Sequence, residues 1–307
     1  MKNHIITEKL PLFLALSRSQ HGILDVAMPA CCALLWLGHF PSVFIIIIGL
    51  VTAFAGYTAV YALNDIIGFK SDRAKMQDST NHQGYSVESS DLRHPIAQGL
   101  LSLPAAIGWA SFWFTIAIIG SYILNPVIVL ILIAGGLLEA AYCSMVKVTY
   151  LRTLVSGLVK SCGPVSAVFA VTATPSWQFL LTLLFWVFLW ELGGQNIPAD
   201  WTDIEEDRRI GARTLPIQFG EKVASRVIFV ISLCVSIVSV ILVSTSSLKY
   251  EVIWAMLLSI AAITCLVLPA LQLLQNPKPS SAARLFDKAS YYPLACLVTL
   301  ALACAVQ

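Results

Sequence analysis

Nine stretches of roughly 20 mostly apolar residues run through this chain, each long enough to cross the hydrocarbon core of a bilayer. They fall near 20–38, 41–63, 104–124, 126–146, 151–173, 177–197, 223–245, 250–274 and 288–306. In lipid every backbone amide and carbonyl must be satisfied within the segment, so such stretches are helices. Charged residues make up 12% of the 307, against about 25% in a soluble domain, which excludes an oily soluble core. The expected fold is all-α: a polytopic membrane protein with nine transmembrane helices and one domain over 1–307. Pro41, Pro104, Pro126 and Pro175 stand at or beside predicted ends, where a missing amide donor is cheap. The N-terminal MKNHIITEKLPLFLALSRSQ lacks a long apolar core with a cleavage site, so it does not read as a removed signal peptide.

Orientation follows from the basic residues. Seventeen of the 19 lysines and arginines lie on the side that receives the N-terminus and the loops after the second, fourth, sixth and eighth stretches, counting Arg152, Arg226 and Lys288 at the adjoining helix ends. Lys249 lies on the other face and Lys160 inside a stretch. Basic loops stay in the cytoplasm. The N-terminus is therefore expected there and the C-terminus outside, in a bacterial-type inner or plasma membrane. Membrane lipids, not nucleic acid, are the expected surroundings. The two long polar loops, 64–103 and 198–222, share the cytoplasmic face, so any chemistry is expected on that side.

The eight cysteines lie in or beside apolar stretches without a C-x-x-C pair, as small hydrophobes packed between helices would. The five histidines show no H-x-x-x-H spacing, so a zinc site has no support.

The second stretch ends in AGYTAVYALNDIIGFKSDR. If the helix continues, Asp65 and Asp72 share one face with Tyr57, Tyr61 and Gly68. The sixth ends in LWELGGQNIPADWTDIEEDRRIGARTLP, where an unbroken helix confines Asp200, Asp203 and Asp207 to an arc of roughly 60°. Carboxylates aligned in this way repel, and a cation is the usual remedy. Mg²⁺ takes hard oxygen ligands, typically one or two carboxylates plus substrate phosphates. Two such clusters suit a diphosphate held through Mg²⁺; a solvated acidic loop, or charges favouring a helix dipole, is the plainer alternative. Basic residues and a Pro–Gly stretch follow each cluster, RHPIAQGLLS and ARTLPIQFGEK, a weak internal repeat.

At these residues the sequence resembles the UbiA superfamily of intramembrane prenyltransferases. Its members have nine transmembrane helices, N-D-x-x-D-x-x-x-D after the second and D-x-x-x-D after the sixth. Here the first motif reads Asn64-Asp65-x-x-Gly68-x-x-x-Asp72, and the second reads Asp203-x-x-x-Asp207, preceded by Asp200. DIEEDRRIGARTLPIQFG is similar to the naphthoate-prenylating branch. Arg93-His94-Pro95 with Gly99 resembles the family's Arg-Pro…Gly segment, and Tyr142 with Lys147 resembles its Tyr…Lys pair at one residue longer spacing. Two departures stand out: Gly68 replaces the middle aspartate, and RAKMQDSTNHQGYSVESSDL lengthens the loop.

The resemblance implies Mg²⁺-dependent transfer of a prenyl group from an allylic prenyl diphosphate to an aromatic or other lipophilic acceptor. It assigns metal binding to Asn64, Asp65, Asp72, Asp200, Asp203 and Asp207. It assigns the diphosphate to Lys147, Arg152 and Arg208, with Lys70, Arg73, Arg93 and Arg213 as further cations. Tyr57 and Tyr61 would face the allylic cation, and Tyr142 would join the site. Glu191, about two and a half turns deeper than Asp200, would hold the acceptor or take its proton. Asp25, Glu139, Lys160 and Glu191 lie within predicted spans, where charges tend to be paired or functional; Glu139 and Lys160 are expected to pair. Asp78, Glu88 and Asp91 are candidates to fold over the site and fill the place Gly68 leaves. Phosphoribosyl transfer or terpene cyclisation would use the same loops. A transporter or a non-catalytic isoprenoid-lipid binder is the reading from another class, although transporters gather polar residues at mid-membrane.

Overall fold

The computed structural model describes residues 2–76 and 92–306. Asp78, Glu88 and Asp91 lie outside them. Among the described residues nine helices are long and apolar enough to cross a membrane: Ser19–Leu37, Val43–Met76, Leu103–Leu124, Pro126–Ser144, Arg152–Val171, Trp177–Thr202, Glu221–Ser244, Glu251–Gln275 and Pro279–Val306. A further helix, Lys2–Leu16, precedes the first span. Order and number agree with the sequence reading. The differences lie at the ends, and they matter for the site.

The second span runs on to Met76. Its 34 residues give a helix about 51 Å long, against a hydrocarbon thickness of about 30 Å. No proline interrupts it, and Arg73 and Lys75 in the last turn favour the negative end of the helix dipole. The helix thus leaves the bilayer intact, carrying Asn64, Asp65 and Asp72 on a rigid post.

The sixth span is irregular where it needs to be. An α-helix over Trp177–Trp190 widens to a π-helix at Glu191–Asn196 before Ile197–Thr202 resumes. Pro198 explains the widening, because it lacks an amide and its ring excludes the carbonyl one turn back. The eighth span does the same at Ile263–Val267, just ahead of Pro269. Within the π segment Gly193 and Gly194 allow close approach. A Cβ there would lie 2.6 Å from Ile231 Cγ2 and 2.9 Å from Ala289 Cβ, in the seventh and ninth spans.

The ninth span starts earlier than predicted. Pro279–Ser290 is a helix with Ala282, Leu285, Phe286 and Ala289 buried on one face. Arg284, Asp287 and Lys288 on the remaining face lower its mean hydropathy, which hides it from a search for uniformly apolar stretches.

Trp186, Trp190, Phe179 and Tyr292 fill the core between the sixth and ninth spans. Each indole finds a partner: Trp186 Nε1 donates to Tyr292 Oη at 3.1 Å and Trp190 Nε1 to the Ala289 carbonyl at 3.0 Å. The cysteines are free thiols, half of them buried among these apolar side chains. Outward-facing residues such as Leu130, Leu137 and Val252 are more than two-thirds exposed, a surface suited to lipid.

The cytoplasmic-type loops converge at one end. The Arg213 amide donates to the Val146 carbonyl at 2.8 Å, joining the loops after the sixth and fourth spans. Arg93 reaches Glu206 at 2.9 Å, joining those after the second and sixth. At the opposite end Ser247 caps the first span through the Leu35 carbonyl at 3.2 Å.

Candidate active site

The two acidic loops face each other, and the chain's own cations bridge them. Lys75 Nζ lies 2.7 Å from Asp207 Oδ1. Arg93 sits 3.5 Å from Asp203 and 2.9 Å from Glu206. His94 Nδ1 lies 2.8 Å from Asp65 Oδ1 and 3.3 Å from Asp72 Oδ2. Arg152 approaches Asp200 at 3.7 Å, donates to the Tyr142 hydroxyl, and stacks its guanidinium over that ring at 4.3 Å. Asn196 Nδ2 donates to the same hydroxyl at 2.8 Å. So Asp65, Asp72, Asp200, Asp203, Asp207, Arg93, Arg152 and Tyr142 all belong to one polar mouth.

The second motif is not a continuous helix. Thr202 ends one helix, Asp203 sits between at φ −90° and ψ 12°, and Ile204–Ile210 begins the next. The break turns Asp207 inward until it is 1% exposed. Burial pushes its carboxyl above the usual carboxylate range, and the Lys75 ammonium opposes that shift.

Other expected cations lie elsewhere. Arg208 is exposed and pairs with Glu205 at 3.1 Å on the outer side of its helix. Arg213 binds the loop backbone at Val148, 3.3 Å away. Lys70, Arg73 and Lys147 are exposed. On a helix of seven residues only one face can turn inward, and Asp207 occupies it.

Below the mouth lies a cavity of about 480 Å³. Asn64, Tyr142, Asn196 and Glu139 line its polar end, and Ile45, Leu50, Ile128 and Leu132 line the apolar remainder. Tyr57, Tyr61, Lys160 and Glu191 form its wall. Asn64 Nδ2 donates to Glu139 Oε1 at 2.6 Å, tying Asn64 to the cavity rather than to the carboxylates.

The expected pairing of Glu139 with Lys160 is corrected. Lys160 Nζ instead donates to Asp25 at 2.6 Å and to the Tyr61 hydroxyl at 3.2 Å, with Glu191 Oε2 4.0 Å away. Tyr61 also donates to Asp25. Ser156 Oγ donates to Glu191 Oε1 at 2.6 Å. The Tyr57 and Tyr61 rings expected to meet an allylic cation already carry Lys160 Nζ, 5.9 and 5.7 Å from their centroids. Sequence reading gave no site role to Lys75, Asn196 or His94, although it singled out the Arg93-His94-Pro95 segment.

A divalent ion fits the mouth. Asp65 Oδ2 and Asp200 Oδ2 are buried and have no hydrogen-bond partner among the described residues. A buried carboxylate oxygen left so is costly, and a hard cation satisfies it.

Helices of this length, order and irregularity, with acidic loops over a greasy cavity, define an intramembrane protein built to hold a polar head and an apolar tail. A model of the UbiA prenyltransferase family matches residues 26–302, and the chain belongs to that family. It is a multi-pass membrane protein. Digeranylgeranylglyceryl phosphate synthase of Methanopyrus kandleri is 32% identical over 146 residues, 46% of this chain and 52% of that protein. The chain thus matches about half the length of this curated relative. A solved structure of a digeranylgeranylglyceryl phosphate synthase superposes with TM-score 0.68 at 17% identity, covering 98% of this chain and all of that one. A UbiA homologue from Aeropyrum pernix K1 gives 0.72 at 17% identity, covering 91% of this chain and 97% of that one. A UbiA homologue from Archaeoglobus fulgidus, bound to DMAPP and Mg²⁺, gives 0.67 at 14% identity over 94% and 99%. At such identities the likeness is one of fold.

Proposed function

We propose that the protein is a Mg²⁺-dependent prenyltransferase that moves a prenyl group from an allylic diphosphate to an aromatic or other lipophilic acceptor. The observation that carries this reading is the meeting of both acidic loops, three cationic side chains and the His94 imidazole at the mouth of a cavity with an apolar far end. Carboxylates and cations there now neutralise one another. A Mg²⁺–diphosphate offers both a better partner, the carboxylates taking the metal and Lys75, Arg93 and Arg152 taking phosphate oxygens. Bound Mg²⁺ supplies positive charge where the leaving group gains negative charge. Asp65, Asp72, Asp200, Asp203 and Asp207 would hold it.

In the reaction the carbon–oxygen bond of the allylic ester breaks and its electron pair leaves with the diphosphate. The acceptor bonds to the allylic carbon and loses a proton. Glu191 suits that proton, since Oε2 is buried in the cavity wall, 4.0 Å from Lys160 and without a hydrogen-bond partner among the described residues. The Asp25–Lys160–Tyr61 group fixes the wall beside it, and Tyr57 shapes the tunnel. Fused acidic and basic loops over one lumen argue for a single domain.

Acceptor chemistry follows from the same wall. Asp25 and Glu191 share the Lys160 ammonium and Glu139 offsets Arg18 along the lumen, so the wall holds no excess of positive charge. That balance favours an acceptor presenting a hydroxyl donor over one presenting a phosphate. The name of the Methanopyrus relative supports the second reading, a glyceryl phosphate acceptor. Purified protein with Mg²⁺ and a prenyl diphosphate series is expected to release diphosphate and yield a prenylated hydroxyaromatic. Product from a glyceryl phosphate alone would reassign the acceptor, and absence of any diphosphate release would end the reading.

The basic loops argue for a cytoplasmic N-terminus and mouth, in a bacterial-type membrane. In a cysteine-free background, Arg209→Cys should react with impermeant maleimide only from the cytoplasmic side and Lys249→Cys only from outside. The reverse pattern would invert the topology.

A further inference from the structure

Resting on the reading of Asp65 and Asp72 as metal-holding residues, we propose that His94 is a ligand of the first metal site. The site is then an Asp65–Asp72–His94 centre whose nitrogen donor shifts its preference from Mg²⁺ toward a transition-metal ion such as Mn²⁺. One ligand atom from each residue lies within 4.8 Å of the others. His94 Nδ1 stands 2.8 and 3.3 Å from the two carboxylates. Adjacent ligand atoms of an octahedral site with bonds of about 2.1 Å stand about 3 Å apart, so His94 Nδ1 already stands at ligand spacing from each of the two carboxylates. The second oxygen of Asp65 points to a ligand independently: the residue is 3% exposed and Oδ2 has no hydrogen-bond partner among the described residues.

The backbone holds the imidazole in place. His94 adopts a left-handed φ of 54°, which a non-glycine residue keeps only when its surroundings enforce it. They do so here. The Gln98 amide donates to the His94 carbonyl at 3.1 Å, the Leu100 and Leu101 amides to the Pro95 carbonyl at 3.0 and 3.1 Å, and Gln98 Nε2 to the Arg93 carbonyl at 2.6 Å.

Gly68 and His94 then belong together. A Cβ at Gly68 would lie 2.9 Å from Asp72 Oδ2, the oxygen nearest His94. A side chain at 68 would push that carboxylate oxygen aside. The glycine removes one carboxylate from the helix and makes room for the arrangement in which an imidazole from the next loop replaces it. Mg²⁺ prefers oxygen and sheds water reluctantly, whereas transition-metal ions accept imidazole readily. In the metal-bound form Nδ1 carries the lone pair and the ring hydrogen sits on Nε2.

The test uses the full-length protein in detergent with Mn²⁺ and pulsed electron paramagnetic resonance. Nitrogen coupling to bound Mn²⁺ is expected, changing in frequency when histidine is labelled with ¹⁵N; this readout needs no variant. His94→Ala should abolish the coupling and lower the Mn²⁺ over Mg²⁺ affinity ratio at least tenfold. Adding Gly68→Asp to that variant should restore binding with oxygen ligands only, and Mg²⁺ should then compete better. Bound Mn²⁺ without nitrogen coupling, or an unchanged affinity ratio in His94→Ala, would overturn the role of His94 and leave it a hydrogen-bond partner. Failure of Mn²⁺ to bind the wild-type protein, or full binding by Asp65→Asn, would overturn the metal reading itself.

Discussion

Asp203→Asn and Asp207→Asn are each expected to lower turnover at least a hundredfold, about 2.7 kcal/mol of activation free energy. The two aspartates contribute differently. Asp207 is 1% exposed and holds Lys75, so it places a cation as well as a carboxylate at the mouth. Asp203 is a quarter exposed by side chain and faces Arg93 from the break between two helices. Asparagine keeps the shape and one oxygen of each, so folding should survive while the metal loses a charged ligand. Diphosphate release from purified variants measures the loss, and thermal unfolding in detergent checks that the fold is intact. Arg208→Ala, which removes an exposed pair with Glu205, should stay within about twofold, as exposed pairs contribute little. Wild-type turnover in the Asp203→Asn, Asp207→Asn double variant, or in excess EDTA, would end the metal–diphosphate reading.

Much of the fold was legible because lipid imposes a length and a composition on every span. Two features escaped that signal, a helical segment and a change of helical winding. Pro279–Ser290 is amphipathic, and a window averaging hydropathy cannot see a buried stripe. The π segment Glu191–Asn196 follows from Pro198 and two glycines, but a sequence shows a proline without showing how the helix absorbs it. At the site, the carboxylates were readable because spacing along one helix fixes their face, as with Asp65 and Asp72. The cations were not, because their partners come from other spans. Arg208 and Lys75 look alike in sequence, yet one is exposed beside Glu205 and the other lies against Asp207. The same limit explains Lys160. Adjacent spans suggested Glu139, whereas the partner is Asp25, 135 residues away. A uniformly apolar stretch does not encode which way its single charge is turned.

Lys160→Met is expected to be the most destabilising single change, costing about 3–5 kcal/mol of folding stability. The Lys160 side chain is 12% exposed, and Asp25 and Glu191 are 3% and 9% exposed. Taking the ammonium away leaves two buried carboxylates in low dielectric. Among the described residues Asp25 would keep only the Tyr61 hydroxyl and His21, 3.7 Å away. Glu191 would keep only Ser156. Methionine matches the lysine stem in volume and flexibility, so a packing defect contributes little and the loss reports the uncompensated charge. The signature lies in the double variant. Asp25→Asn with Lys160→Met removes one buried charge of each sign and should recover more than half of the loss, whereas Asp25→Asn alone leaves Lys160 with Glu191 and costs less than Lys160→Met. Unfolding free energies of the four proteins in one detergent close the cycle. A coupling energy near zero would mean that Lys160 and Asp25 do not compensate each other in the membrane, and that the wall beside Glu191 is held in some other way.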